Sequence, residues 1–89
     1  MDKESIIERI KELIISVADF ELCKDDISCE IDGIAKLGLN SLATIRLCAA
    51  LKREYNVEID LEDEAEILMS VNSLVDFIIL FRIWMKVVV

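Results

Sequence analysis

The stretch Leu37-Gly38-Leu39-Asn40-Ser41-Leu42 decides the fold, because it ends a loop and opens a helix within a few residues. Gly38 permits the positive φ or tight turn that reverses the chain. Asn40 is a strong N-cap residue whose amide oxygen is placed to accept a backbone N–H from the first turn. Ser41 then falls at the first helical position, and the chain through Tyr55 reads as continuous helix. A helix N-terminus offers unpaired N–H donors and a partial positive charge, a natural seat for phosphate. A serine there is placed to carry a phosphodiester. Taken alone, Asn40-Ser41 reads as a capping pair and nothing more; the surroundings change that.

Working outward, the helix can be laid out at about 100° per residue. Thr44, Leu47, Cys48 and Leu51 share one arc, the predicted core face. Leu42, Ile45, Arg46, Ala49 and Arg53 share the opposite arc, mixing apolar and basic side chains. That arc is either a wider core contact or a surface for partners. Upstream, Ile6, Ile7, Ile10, Leu13, Ile14 and Val17 recur at helical spacing, with Glu8, Arg9, Lys11 and Glu12 facing water. The spacing predicts a helix over 3–18. From Glu21 to Leu39 periodicity is lost among the turn formers Asp25, Asp26, Ser28, Asp32 and Gly33. A loop that long is functional or pinned, and Ile27, Ile31, Ile34 and Leu37 are the predicted anchors.

Downstream, Glu58, Asp60, Glu62, Asp63, Glu64 and Glu66 form an acidic run without a base, read as a solvated segment. It lacks the glycine and ligand spacing of an EF-hand loop. A short helix is expected near 62–68. Ser70 or Asn72 can cap a last helix near 71–85, with Val71, Leu74, Val75, Ile78, Phe81 and Met85 on one stripe. Phe77, Leu80, Trp84 and Val88 form a second stripe, a candidate for burial against a second copy or a partner enzyme, or for folding onto the first helix or the long loop. The apolar run 77–89, broken by Arg82 and Lys86, falls short of the ~20 residues of a membrane span.

Composition agrees with helix. The 89 residues hold no proline and two glycines, and a chain of that size reads as one domain over 1–89, with 80–89 an apolar extension of the last helix. The expected architecture is all-α: a bundle of three main helices plus one short helix, packed around Ile10, Leu13, Ile14, Leu47, Leu51, Val75 and Ile78. The net charge of −8 opposes binding to nucleic acid or anionic lipid. Histidine is absent, which removes the commonest general base and metal ligand. Cys23, Cys29 and Cys48 lack the spacing of a metal site; Cys23 and Cys29 can pair only under oxidation, and Cys48 reads as a buried small hydrophobe. The N-terminus lacks the order of a signal peptide, so a cytoplasmic location is expected.

These pieces in this order resemble the acyl carrier protein family. The resemblance runs from about Ile6 to Ile79 and is strongest over Leu37 to Leu47, followed by Leu51, Tyr55 and Val57-Glu58-Ile59. Ser70-Val71-Asn72-Ser73-Leu74-Val75-Asp76-Phe77-Ile78 looks like the capped start of the family's last helix. The resemblance implies a four-helix bundle with a long loop between the first two helices. It implies that Ser41 receives a 4′-phosphopantetheine arm from coenzyme A, through a separate transferase that uses magnesium. The protein would then be a non-catalytic carrier that presents acyl thioesters to loading and processing enzymes. The helix from Ser41 would be the docking helix, with Leu42, Ile45, Arg46, Ala49 and Arg53 toward partners.

Two departures matter. The family usually has Asp before the serine, and this chain has Asn40, which removes a negative charge beside the site. Carriers of fatty acid synthesis resemble one another in an acidic second helix, whereas Ala43, Arg46, Lys52 and Arg53 make this one neutral to basic. Partners with basic patches should be repelled there. The expectation is a specialised carrier of a polyketide, nonribosomal-peptide or other dedicated acyl pathway. The alternatives are a housekeeping fatty acid carrier, a carrier-like subunit never modified at Ser41, and an unrelated helical adaptor using the apolar C-terminus. A hydrolase with Ser41 as nucleophile lacks histidine, and Asp32 or Asp60 has no reason to replace it.

Overall fold

The computed structural model describes residues 2–28, 33–60 and 65–88, and the side chains of all of these except 65 and 85–88. Three α-helices carry the architecture: α1 (Lys3–Val17), α2 (Ser41–Tyr55) and α3 (Val71–Val88). The apolar spacing of α1 buries Ile6, Ile10, Leu13, Ile14 and Val17 on one stripe. That stripe packs against both α2 and α3. The α1 helix ends where Ala18 turns extended while its N–H still bonds the Ile14 carbonyl at 3.1 Å.

Among the described residues, the connection from α1 to α2 contains two 3-10 turns, Lys24–Asp26 and Ala35–Leu37, where the sequence suggested only loop. Asp26 supports the first, its carboxylate accepting from the Cys23 N–H at 3.0 Å. Of the predicted anchors, Ile27 and Ile34 are buried and Leu37 is half-buried against the core; Ile31 lies outside the described residues. The Ile34 N–H also bonds the Met69 carbonyl at 2.9 Å, tying the connection to the segment before α3. The second turn closes at Gly38, whose φ of +71° places it in the left-handed region that glycine enters at no steric cost.

The α2 helix ends at Asn56, also left-handed (φ +57°), with its N–H on the Lys52 carbonyl at 2.8 Å. The core face of α2 is rotated from the expected arc. Ala43, Leu47, Ala50, Leu51 and Tyr55 are buried, whereas Thr44 and Cys48 are half-buried. Ala43, counted above among the residues that make the helix neutral to basic, is 2% exposed and belongs to the core, so it adds nothing to the outward face. The short helix expected near 62–68 is a 3-10 helix over Ala65–Met69, packed on α3; residues 61–64 lie outside the described residues. Ser70, not Asn72, caps α3. Its buried Oγ accepts from the Ser73 N–H at 3.1 Å and donates to Ser73 Oγ.

Val71, Leu74, Val75 and Ile78 are fully buried, and Phe81 is half-buried against them. The helix continues past the expected end, to Val88. The second stripe divides: Phe77 packs against the core, whereas Leu80 and Trp84 are 66% and 55% exposed, with Ile83 exposed beside them. The first helix therefore does not cover it. Phe77, Phe81 and Trp84 instead contact one another in series, with ring centroids about 6 Å apart. The side chain of Val88 lies outside those described.

Ion pairs lace the exposed side of the bundle. Arg9 donates to Glu54 at 2.7 Å and to Glu12 at 3.1 Å, joining α1 to α2. Lys24 pairs with Glu8 and Glu12, joining the first 3-10 turn to α1. The Arg9 guanidinium holds the Glu54 and Glu12 carboxyls below the ordinary carboxylate range. All are exposed, so the core carries most of the stability. Ile78, fully buried in α3, tests this: Ile78→Ala should destabilise the domain by about 2–5 kcal/mol. The measurement is the urea unfolding midpoint, and a change below about 1 kcal/mol would mean that the core is not where the fold is held.

Candidate functional site

The site is built where the α1–α2 connection meets the start of α2. Gly38 turns the chain, Leu39 half-buries its side chain, and Asn40 takes the extended conformation of an N-cap (φ −76°, ψ 173°). Its Oδ1 accepts the Ala43 N–H at 2.7 Å, as the sequence predicts. Its backbone carbonyl accepts both the Thr44 N–H and the Thr44 hydroxyl at 3.0 Å. The N-cap is thus satisfied without Ser41.

Ser41 stands exposed at the first position of α2. Its hydroxyl makes no hydrogen bond to a described residue. The N–H groups of Ser41 and Leu42 are likewise outside the intrahelical ladder, which begins at Thr44. An anionic ester on this hydroxyl meets the positive end of the α2 dipole and two open donors.

The other half of the Asn40 amide was not foreseen. Its Nδ2 donates to Asp19 Oδ2 at 2.8 Å, across 21 positions of sequence. Both amide atoms are therefore used, one by the helix and one by the bend after α1. Aspartate at position 40 has no donor with which to make the second bond, and its charge would oppose that of Asp19. The pairing gives Asn40 a second bond that Asp could not make. The sequence carried no local sign of it, because the two partners lie on different elements.

A cavity also went unforeseen. A pocket of about 100 Å³ lies under the start of α2, lined by Ile34, Ala35, Leu39, Thr44, Leu47 and Leu68. A wider, open cleft of about 360 Å³ shares Ala35, Leu39, Thr44 and Leu68 with it, and adds Ser41, Ile45 and Met69. The hydroxyl of Ser41 thus sits at the mouth of a mainly apolar depression. Its walls come from the 3-10 turn at 35–37, the start of α2 and the 3-10 helix before α3, three segments that no periodicity relates.

The outward arc of α2 is placed as predicted. Leu42 and Ile45 are each 53% exposed, and Arg46, Ala49 and Arg53 are exposed. Lys52 pairs with Glu58 at 2.7 Å and Glu54 with Arg9, which leaves Arg46 and Arg53 without an ion pair among the described residues. Burial pushes the half-buried Cys48 thiol up, which disfavours its thiolate. Cys23 is exposed, and its pairing with Cys29 lies outside the described residues. Among the described residues no helix is long and apolar enough to cross a membrane.

No solved structure matches the chain. A family model described as a phosphopantetheine attachment site matches residues 8–78, which take in α1 from Glu8 onward, α2, the Asn40-Ser41 junction and the buried start of α3. With that match over most of its length, and an all-helical fold to go with it, the chain belongs to the phosphopantetheine attachment site family, whose members are carrier domains defined by covalent attachment of 4′-phosphopantetheine.

Proposed function

We propose that Ser41 is the attachment residue and that this protein is a non-catalytic acyl carrier. The observation that supports it most is the division of labour at the α2 N-terminus. Asn40 alone satisfies the cap, and the neighbouring hydroxyl is exposed with no bond to lose among the described residues. The residues fit a phosphodiester: open N–H donors of the first turn, the helix dipole, and an apolar cleft alongside. In the attachment, Ser41 Oγ forms a bond to the pantetheine-side phosphorus of coenzyme A. The pyrophosphate bond breaks, adenosine 3′,5′-bisphosphate leaves, and the hydroxyl proton passes to the transferase. Once attached, the arm supplies a thiol on a flexible linker, which carries acyl groups as thioesters and raises their effective concentration at a docked enzyme.

The chain's own contribution is recognition. Leu42 and Ile45 give the outward arc of α2 an apolar centre, and Arg46 and Arg53 give it positive charge within a chain of net −8. Such a face favours partners with an acidic rim, and with them a dedicated acyl pathway over housekeeping fatty acid synthesis. A cytoplasmic location fits a carrier that meets coenzyme A and its enzymes there. The exposed Leu80, Ile83 and Trp84 on the extension of α3 past residue 79 support self-association through that end of the helix.

Three experiments test these readings. Incubated with coenzyme A and a promiscuous phosphopantetheinyl transferase, the chain should gain one arm by intact mass. Ser41→Ala should abolish the gain and leave helical circular dichroism unchanged; labelling retained in that variant would place the site on another hydroxyl. Charge reversal of Arg46 and Arg53 to Glu should slow loading by the cognate enzyme at low salt. The effect should fade as salt rises, since exposed charges are screened over about 10 Å at 0.1 M. Unchanged kinetics at low salt would reduce the arginines to solubilising surface. In sedimentation, the full chain should show a concentration-dependent dimer that a chain ending at Leu80 does not form, and monomers in both would remove the case for self-association.

A further inference from the structure

We propose that Asp19 supplies the negative charge beside the modification site that residue 40 lacks, and that it acts as a positioning residue for the transferase. The inference rests on Ser41 being the attachment residue and goes beyond it. Asp19 lies in the bend just after α1, exposed, with Oδ2 held at 2.8 Å by the amide of Asn40, the residue next to Ser41. The donor is neutral, so the carboxylate is fixed in place without being neutralised. Glu8, Glu12, Glu54 and Glu58 differ in this respect, since each has an Arg or Lys partner. Among the described residues Asp19 has none.

A fixed, uncompensated carboxylate beside Ser41 repels the pyrophosphate of an approaching donor unless a cation comes with it. The transferase must bring such a cation to neutralise its own anionic donor, either a magnesium ion or a basic side chain. Asp19 is placed to meet it, through a charge-assisted contact that fixes Ser41 against the donor phosphorus. The charge has moved from residue 40 to residue 19, and the amide of Asn40 is what holds it there.

The test is to move it back. Asp19→Asn keeps an acceptor for Asn40 and removes only the charge. It should lower kcat/KM for transfer of the arm about tenfold, with no change in melting temperature. Asn40→Asp alone brings two carboxylates together and should lower the melting temperature. The double variant Asp19→Asn with Asn40→Asp restores one donor and one carboxylate in reversed order. It should recover both the melting temperature and most of the rate. If the deficit of Asp19→Asn is a raised KM for the carrier that salt erases, the cation is a basic side chain; a raised magnesium requirement marks the metal ion.

An Asp19→Asn chain labelled at the parental rate would overturn the inference, as would a double variant no faster than Asp19→Asn. With labelling still confined to Ser41, either result would overturn this inference alone. No mass gain on the parental chain, or a gain that survives Ser41→Ala, would overturn the reading of Ser41 and this inference with it.

Discussion

Burial of one stripe of α1 against two helices at once is the constraint on which the rest of the structure depends. Ile6, Ile10, Leu13, Ile14 and Val17 meet α2 on one side and α3 on the other. With so few residues there is little apolar surface to spare, so most long aliphatic side chains of α1 and of the start of α3 are spent on this core. The long connection follows from it. The connection reaches from the end of α1 to the start of α2 and is fixed where Ile27 and Ile34 enter the core and where the Ile34 N–H meets the Met69 carbonyl. Its second end delivers Gly38, Asn40 and Ser41 to the surface.

What the sequence made legible is what local chemistry controls. The α2 helix begins at Ser41 and ends at Tyr55 as expected, because an Asn cap at one end and a left-handed Asn at the other are local signals. The core residues anticipated in α1 and α3 are buried because large aliphatic side chains there follow one period. The face of α2 was less legible. Its buried stripe runs Ala43, Leu47, Ala50, Leu51, and two of those four are alanines, which weigh little in a hydrophobic pattern. The short segment before α3 forms a 3-10 helix pinned by a long-range backbone bond, and no periodicity announces such a bond. The same reason hid the bond between Asp19 and Asn40 and the cleft beside Ser41. Each is made by residues far apart in the chain.

Charge is arranged in two layers. Several acids of α1 and α2 are neutralised close to home: Arg9 serves Glu12 and Glu54, Lys24 serves Glu8 and Glu12, and Lys52 serves Glu58. These exposed pairs contribute little stability individually, but they occupy Arg9, Lys24 and Lys52. Arg46 and Arg53 are left over on the outward arc, beside Leu42 and Ile45. The chain is strongly acidic as a whole and basic on this one helix face. A partner docking on this face, as proposed, would meet a local charge opposite in sign to the net charge, a contrast that would favour one orientation of approach.

The cap itself explains how a helix can open on a residue that is free to be modified. A serine is a good N-cap, and had Ser41 filled that role its hydroxyl would be bonded to the first turn; esterification would then remove a bond worth about 1 kcal/mol. Here the cap sits one residue earlier. Asn40 holds the Ala43 N–H through Oδ1, accepts Thr44 through its carbonyl and anchors Asp19 through Nδ2. Among the described residues no hydrogen bond depends on the Ser41 hydroxyl. The helix N-terminus contributes its field and its open donors, the apolar cleft lies alongside, and a substituent at Ser41 Oγ displaces no hydrogen bond among the described residues. A single amide side chain thus does the structural work for two neighbours, and that arrangement is what supports the proposed role of the hydroxyl beside it.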